Sequence, residues 1–313
     1  MRLLLLGCTG LVGRELVPTL RDAGHQITVV SRRSHRSVSW AKEQDLNWVQ
    51  ADPAQATSWE QDGALQEALA ASDGVVNLAG EPIAEQRWTP THLQLLHDSR
   101  IATTRHLTAA MGALATPPAV MVNASAVGFY GTSEDAAFVE SSAAGKDVLG
   151  SLCADWEAAA AARPPATRLV VVRIGIVLAA DGGALGKMLP VFRAGFGGPI
   201  GSGRQWMSWI HRTDLCALIA RALADQSWSG VVNGVAPQPV SMATFASSLG
   251  RCLGRPSLLP VPGPVLHLLL GDGARVVLDG QQVRSERLQQ LGFSFRFPDL
   301  PEALAAATRM RSR

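Results

Sequence analysis

Gly7, Gly10 and Gly13 stand three residues apart directly after the apolar run Leu3 to Leu6. A short buried strand, a glycine-spaced turn and a helical pattern from Arg14 to Leu20 make the first strand–helix unit of a dinucleotide-binding sheet. Gly7 permits the tight turn, Gly10 lets the backbone approach a pyrophosphate, and Gly13 lets the helix pack against the strand. Thr9, Leu11 and Val12 complete the expected phosphate-binding turn. The phosphates then lie at the helix N-terminus, where free N–H groups and the helix dipole favour an anion. The next strand, from His25 to Val30, ends in Ser31-Arg32-Arg33. An Asp or Glu there accepts from the ribose 2′-OH of NAD. A hydroxyl and two guanidiniums suit a 2′-phosphate instead, through charge-assisted hydrogen bonds. Read alone, Arg32, Arg33 and Arg36 are a solvated basic loop. Their place at the carboxyl end of the second strand makes NADP(H) the expected cofactor.

These residues need a sheet to hold them. Strand patterns recur at 47–52, 74–80, 118–125 and 168–174, separated by helical patterns around 91–111 and 149–162. Continuous apolar strands alternating with helices imply a parallel sheet covered on both faces. After Val177 the chain turns glycine-rich, and 231–235 returns as a last strand of the main sheet. The tail from Pro237 reads as a smaller, mostly helical lobe. The expected fold is therefore α/β, a doubly wound parallel sheet with a smaller C-terminal substrate lobe. A dinucleotide-binding domain takes 1–177 and 213–236, and the lobe takes 178–212 and 237–313.

Composition narrows the classes. With 313 residues, of which 47% are hydrophobic, a sizeable core is within reach. A net charge of +2 is too small to argue for nucleic acid. The four cysteines, Cys8, Cys153, Cys216 and Cys252, lie far apart without CxxC spacing, so neither a metal site nor a disulfide framework is expected. They read as reduced thiols of a cytoplasmic protein. The apolar run after Arg2 is too short for a secretory signal, and no stretch reaches the roughly 18 apolar residues of a bilayer span.

A longer series of phrases is similar to the extended branch of the short-chain dehydrogenase/reductase superfamily. The match is to its atypical "epimerase family", or nucleoside-diphosphate-sugar epimerase-like, members. The phrases run from Val76-Asn77-Leu78-Ala79-Gly80-Glu81-Pro82-Ile83 through Ser99-Arg100-Ile101-Ala102-Thr103-Thr104 to Asn123-Ala124-Ser125-Ala126-Val127-Gly128-Phe129-Tyr130-Gly131. They continue with Trp156-Glu157, Arg173-Ile174-Gly175-Ile176-Val177-Leu178, Gly201-Ser202-Gly203-Arg204-Gln205 and Trp209-Ile210-His211. The resemblance spans nearly the whole chain. It implies cofactor contacts at Leu78, Ala79, Gly80 and Glu81, adenine contact at Asp52, and either phosphate contact or a turn-structuring role for Arg100. A homodimer through the helices before and after the fifth strand is a further implication.

The resemblance also exposes a departure. Superfamily enzymes use a Tyr-x-x-x-Lys pair, whose i, i+4 spacing puts both side chains on one helix face. Here the one tyrosine, Tyr130, has no lysine four residues on. Aligning the helix before Arg173 puts Cys153 at the tyrosine position and Glu157 at the lysine position. Cys153 is then either an acid or a buried small residue, and Glu157 either a ribose acceptor or a helix-surface carboxylate. Ligands of parallel sheets bind outside the carboxyl ends of the strands. There Ser125, Glu81, Tyr130 and His211 complete the catalytic candidates. Asp214 is expected to cap the helix after His211. The loop from Gly197 to Gln205 is expected to offer backbone N–H groups to an anion, with Trp206 and Trp209 as flat walls. Two functions follow: an NADP(H)-dependent oxidoreductase or epimerase-like enzyme for a small polar or nucleotide-linked substrate, or a non-catalytic NADPH-binding sensor or regulatory scaffold.

Overall fold

Four consecutive leucines in a strand need apolar cover on both sides, since alternate side chains point to opposite faces. The computed structural model, which describes residues 1–42, 44 and 46–308, supplies it. Leu3 and Leu5 join one cluster with Leu16, Leu20 and Leu218, while Leu4 and Leu6 join another with Leu65, Leu107 and Met111. The strand is β1 (Arg2–Leu6), followed by β2 (Gln26–Ser31), β3 (Asn47–Gln50), β4 (Gly74–Asn77), β5 (Val120–Ala126), β6 (Arg168–Ile174) and β7 (Gly230–Gly234). They form one seven-stranded sheet in the order β7-β6-β5-β4-β1-β2-β3, with every neighbouring pair parallel. The chain reverses its direction of winding between β1 and β4, which opens a crevice beyond the carboxyl end of β1.

The first eight helices are α1 (Gly13–Asp22), α2 (Ala64–Ala70), α3 (Pro90–His97), α4 (Thr103–Gly112), α5 (Val148–Ala161), α6 (Gly183–Arg193), α7 (Arg212–Ala224) and α8 (Met242–Leu253), and four more follow in the tail. The single helix expected around 91–111 is two, α3 and α4, joined by a π-helical turn at Asp98–Ala102. The third strand ends two residues earlier than expected, because Asp52 folds into a turn whose carboxylate accepts the Ala54 N–H at 3.1 Å.

Beyond β6 the chain builds a second apolar cluster. Leu185, Phe192, Trp209, Phe245 and Leu304 meet there. Two small strand pairs frame it, Ile176–Leu178 with Trp209–His211 and Trp206–Met207 with Val240–Ser241. Part of the tail returns to the main sheet, where Leu288, Leu291 and Phe293 pack with Trp228. Among the described residues no helix is long and apolar enough to cross a membrane.

Candidate functional site

The glycine turn closes on itself in two places and stays open in one. A Cβ on Gly7, whose φ is +73°, would lie 2.4 Å from the Ala79 nitrogen, and one on Gly13 would lie 1.8 Å from the Cys8 oxygen. These two glycines are therefore demanded by the protein's own packing. A Cβ on Gly10 would meet only the Gly7 oxygen, at 3.8 Å. The space over Gly10 is open, and no side chain caps the adjacent N-terminus of α1. A dinucleotide pyrophosphate fits these features: an uncapped helix end beneath a backbone with no side chain in the way.

At the end of β2 the Ser31 hydroxyl accepts the Arg33 N–H at 3.1 Å, and the Arg33 guanidinium reaches the Thr9 carbonyl at 3.5 Å. Arg32 is exposed and pairs with Glu81 at 3.2 Å. Leu78 donates to Leu6, and Ala79 donates to the Asn77 side chain, so both continue the crevice wall beside Gly7. Gly80 is small for another reason: a Cβ there would lie 2.9 Å from the Arg100 guanidinium carbon. Arg100 is buried beneath that turn, donating to the Glu81 carbonyl at 2.8 Å and the Leu96 carbonyl at 3.1 Å, and burial lowers its pKa to about 10. Of the two roles expected for Arg100, it takes the turn-structuring one.

Further along the same edge, parallel register puts Ser125 beside Arg173 and Arg173 beside Asn233. Glu157, on α5, accepts from the Ser125 hydroxyl at 2.7 Å and holds Arg173 through two bonds of 2.8 Å. Arg173 also donates to the Tyr130 hydroxyl at 2.9 Å, and Tyr130 donates to Asn233 at 2.6 Å. Burial opposes the charge on Arg173, but the Glu157 carboxylate outweighs it and raises the guanidinium above its ordinary pKa. Burial likewise raises Tyr130, against the pull of Arg173. Glu157 is thus neither a surface carboxylate nor free for a ribose; it is the counter-ion of a buried arginine.

Next to this network lies a cavity of about 180 Å³. Ala126 at the end of β5, Gly128 just past it, Cys153 on α5 and Gly175 after β6 form its floor, while Arg275, Asp279 and Gln281 close it from the C-terminal segment. Burial pushes the Cys153 thiol up to about 11, against the pull of the Ala126 backbone and the Ser125 hydroxyl.

Several expectations are corrected. His211 does not line this cavity; it caps α7, its Nδ1 accepting the Thr213 N–H at 3.2 Å, and burial lowers its pKa to about 4. Asp214 therefore does not cap that helix. Its carboxylate accepts the Arg296 and Phe297 N–H groups instead, at 2.7 and 3.0 Å. Trp206 reaches the cavity, but Trp209 is buried in the second cluster. The 197–205 loop has already committed N–H groups at Gly201, Gly203 and Arg204 to internal acceptors. Glu81 pairs with Arg32 and does not line the cavity that holds Cys153.

The profile of the NAD dependent epimerase/dehydratase family matches residues 3–233. The chain belongs to that family. A domain of unknown function, DUF1731, matches residues 261–307, the stretch that carries the cavity's roof. Among relatives, the chloroplastic epimerase family protein SDR39U1 homolog of Arabidopsis thaliana is 42% identical, over 96% of this chain and 84% of its own length. The crystal structure of human epimerase family protein SDR39U1 with NADPH is 37% identical. It covers 98% of this chain and 99% of that one, with a TM-score of 0.86. A nucleoside-diphosphate sugar epimerase from Corynebacterium glutamicum is 29% identical, with a TM-score of 0.74, and is matched over 98% of this chain and 58% of its own.

Arg173, Asn233 and the roof residues Arg275 and Asp279 were missing from the sequence-based site. For the first two a signal existed: each is a polar residue directly after a run of apolar residues within a strand of the sheet. The roof carries no such mark.

Proposed function

We propose that this family member is an NADP(H)-dependent oxidoreductase for a small carbonyl or hydroxyl compound, working without a Tyr-x-x-x-Lys pair. The observation that carries the reading is the open space over Gly10 beside an uncapped helix N-terminus, with Ser31, Arg32 and Arg33 at the carboxyl end of the neighbouring strand. The NADPH bound to the human relative supports the choice of nucleotide. In this reading Gly7, Gly10, Gly13 and the N-terminus of α1 hold the pyrophosphate. Ser31, Arg32 and Arg33 hold the 2′-phosphate, with Asp52 beside the adenine. When bound, the nicotinamide supplies or accepts the hydride.

The chain supplies the proton. With its pKa raised to about 11, Cys153 keeps its proton at neutral pH, so at the cavity wall it is an acid and not a nucleophile. Ser125 stands beside it with its hydroxyl oriented by Glu157. Tyr130 holds its proton against Asn233 and braces Arg173, which makes it a positioning residue. A cavity of about 180 Å³ suits a small substrate better than a nucleotide-linked one.

The test begins with calorimetric titration of nucleotide-free protein. NADPH is expected to bind at least about tenfold tighter than NADH, a difference of about 1.4 kcal/mol. Single-turnover oxidation of bound NADPH against a panel of small aldehydes and ketones follows, with Cys153→Ala expected to bind NADPH normally and to stop turnover. The occupation of Glu157 and Tyr130 by Arg173 favours a second reading, a non-catalytic NADPH-binding protein. Tight binding with no turnover on any carbonyl would favour it.

A further inference from the structure

The guanidiniums of the two arginines just past β2 are held differently. Arg33 is tied down: its N–H meets Ser31, its carbonyl accepts the Trp48 indole N–H at 3.0 Å, and its guanidinium reaches Thr9. The Arg32 side chain is 60% exposed, and its guanidinium meets the Glu81 carboxylate at 3.2 Å. The two partners come from opposite sides of β1, Arg32 just past β2 and Glu81 just past β4, and β1 lies between those strands. Their pair therefore crosses the crevice beyond β1. The Glu81 backbone cannot follow a moving partner, because its N–H is fixed on the Ser99 hydroxyl at 3.0 Å and its carbonyl on Arg100.

We infer that the Arg32–Glu81 pair is a displaceable latch on the 2′-phosphate subsite, which makes Glu81 a residue that sets nucleotide preference. This rests on the NADP(H) reading above. In the free protein Glu81 holds the guanidinium that the 2′-phosphate needs. A phosphate monoester carries about −1.5 to −2 charges near neutral pH and three acceptor oxygens, against the single charge of a carboxylate, so it wins the exchange. An exposed pair contributes little stability, so the exchange is easy, yet every phosphate-bearing nucleotide has to make it. A nucleotide without the phosphate has no group that competes with Glu81 for the Arg32 guanidinium, so it gains nothing from the exchange.

The experiment titrates NADPH, NADH and adenosine 2′,5′-bisphosphate into nucleotide-free wild type, Glu81→Gln, Arg32→Ala and the double variant. Glu81→Gln keeps the backbone bonds of residue 81 and removes its charge. It is expected to bind NADPH and the bisphosphate about three- to fivefold tighter, with NADH unchanged. In the Arg32→Ala background the same substitution is expected to add nothing. The latch is refuted by an unchanged or weaker NADPH affinity in Glu81→Gln, by an equal gain for NADH, or by a gain that survives the loss of Arg32. A wild type that does not prefer NADPH to NADH would overturn the NADP(H) reading instead, and the two failures are read from different samples.

Discussion

Each glycine of the turn answers to a different neighbour, so alanine at each position has a different consequence. Gly13→Ala drives a Cβ into the Cys8 carbonyl and is expected to cost about 3 kcal/mol or more in chemical denaturation, since α1 must leave β1. Gly10→Ala meets nothing in the protein closer than 3.8 Å and is expected to change stability by under about 1 kcal/mol. Its methyl stands in the space offered to the pyrophosphate, so NADPH affinity is expected to fall about tenfold or more in calorimetry. A normal affinity in folded Gly10→Ala would move the nucleotide elsewhere. Glu157 separates structure from chemistry in the same way. Glu157→Gln leaves the Arg173 guanidinium, buried to 4% exposure, without its counter-charge. It is expected to lose about 3–5 kcal/mol, whereas Cys153→Ala is expected to lose only about 1 kcal/mol. Equal losses would mean that Glu157 is not the counter-ion the geometry makes it.

At the scale of elements, α7 begins on a histidine cap, and the cap carries a pH dependence. Burial lowers the folded His211 pKa to about 4, against an ordinary value of 6.5. Between those values the unfolded chain binds more protons than the folded one, so stability rises with pH across the window. The contribution is fully present above about 6.5 and is lost as pH falls towards 4, amounting to at most about 3 kcal/mol. His211→Asn keeps a side-chain acceptor at the cap and removes the titration. The stability difference between wild type and this variant, followed by urea unfolding from pH 7 to pH 4.5, is expected to shift in the variant's favour as pH falls. A constant difference would place the histidine proton elsewhere. The elements themselves were legible in the sequence because each obeys a local rule: apolar runs for the strands, and glycine spacing for the β1–α1 turn. The polar network was not, because Ser125, Arg173 and Asn233 become neighbours only through register between β5, β6 and β7. The His211 cap was missed for a related reason. An aspartate three residues later is the commoner capping type, but tertiary contact draws Asp214 to the backbone of Arg296 and Phe297.

At the scale of the whole molecule, one arginine fastens the start of α7 and the segment entering α6 to the glycine turn. Arg212, at the start of α7, donates to Glu15 of α1 at 2.8 Å, to the Leu11 carbonyl at 3.2 Å and to Asp181 at 2.6 Å. Thr213 adds a hydroxyl bond to Glu15, and Arg14 meets Asp181 at 3.3 Å from the other side. Gly182 and Gly183 press against the Leu11 side chain, where a Cβ on either would come within 3.0 Å. The segment entering α6 and the first turn of α7 thus grip the residue between Gly10 and Val12. If that grip pre-shapes the turn, loosening it weakens the nucleotide as well as the fold. Arg212→Ala is expected to cost about 2 kcal/mol of stability. It is also expected to weaken NADPH binding about tenfold, measured by calorimetry well below the variant's melting temperature. Arg212→Lys keeps one charge for Glu15 but not the fork that spans Leu11 and Asp181, so it is expected to recover stability more fully than affinity. Full NADPH affinity in folded Arg212→Ala would confine the residue to holding α7 against α1 and Asp181, and the turn would then owe its shape to Gly7 and Gly13 alone.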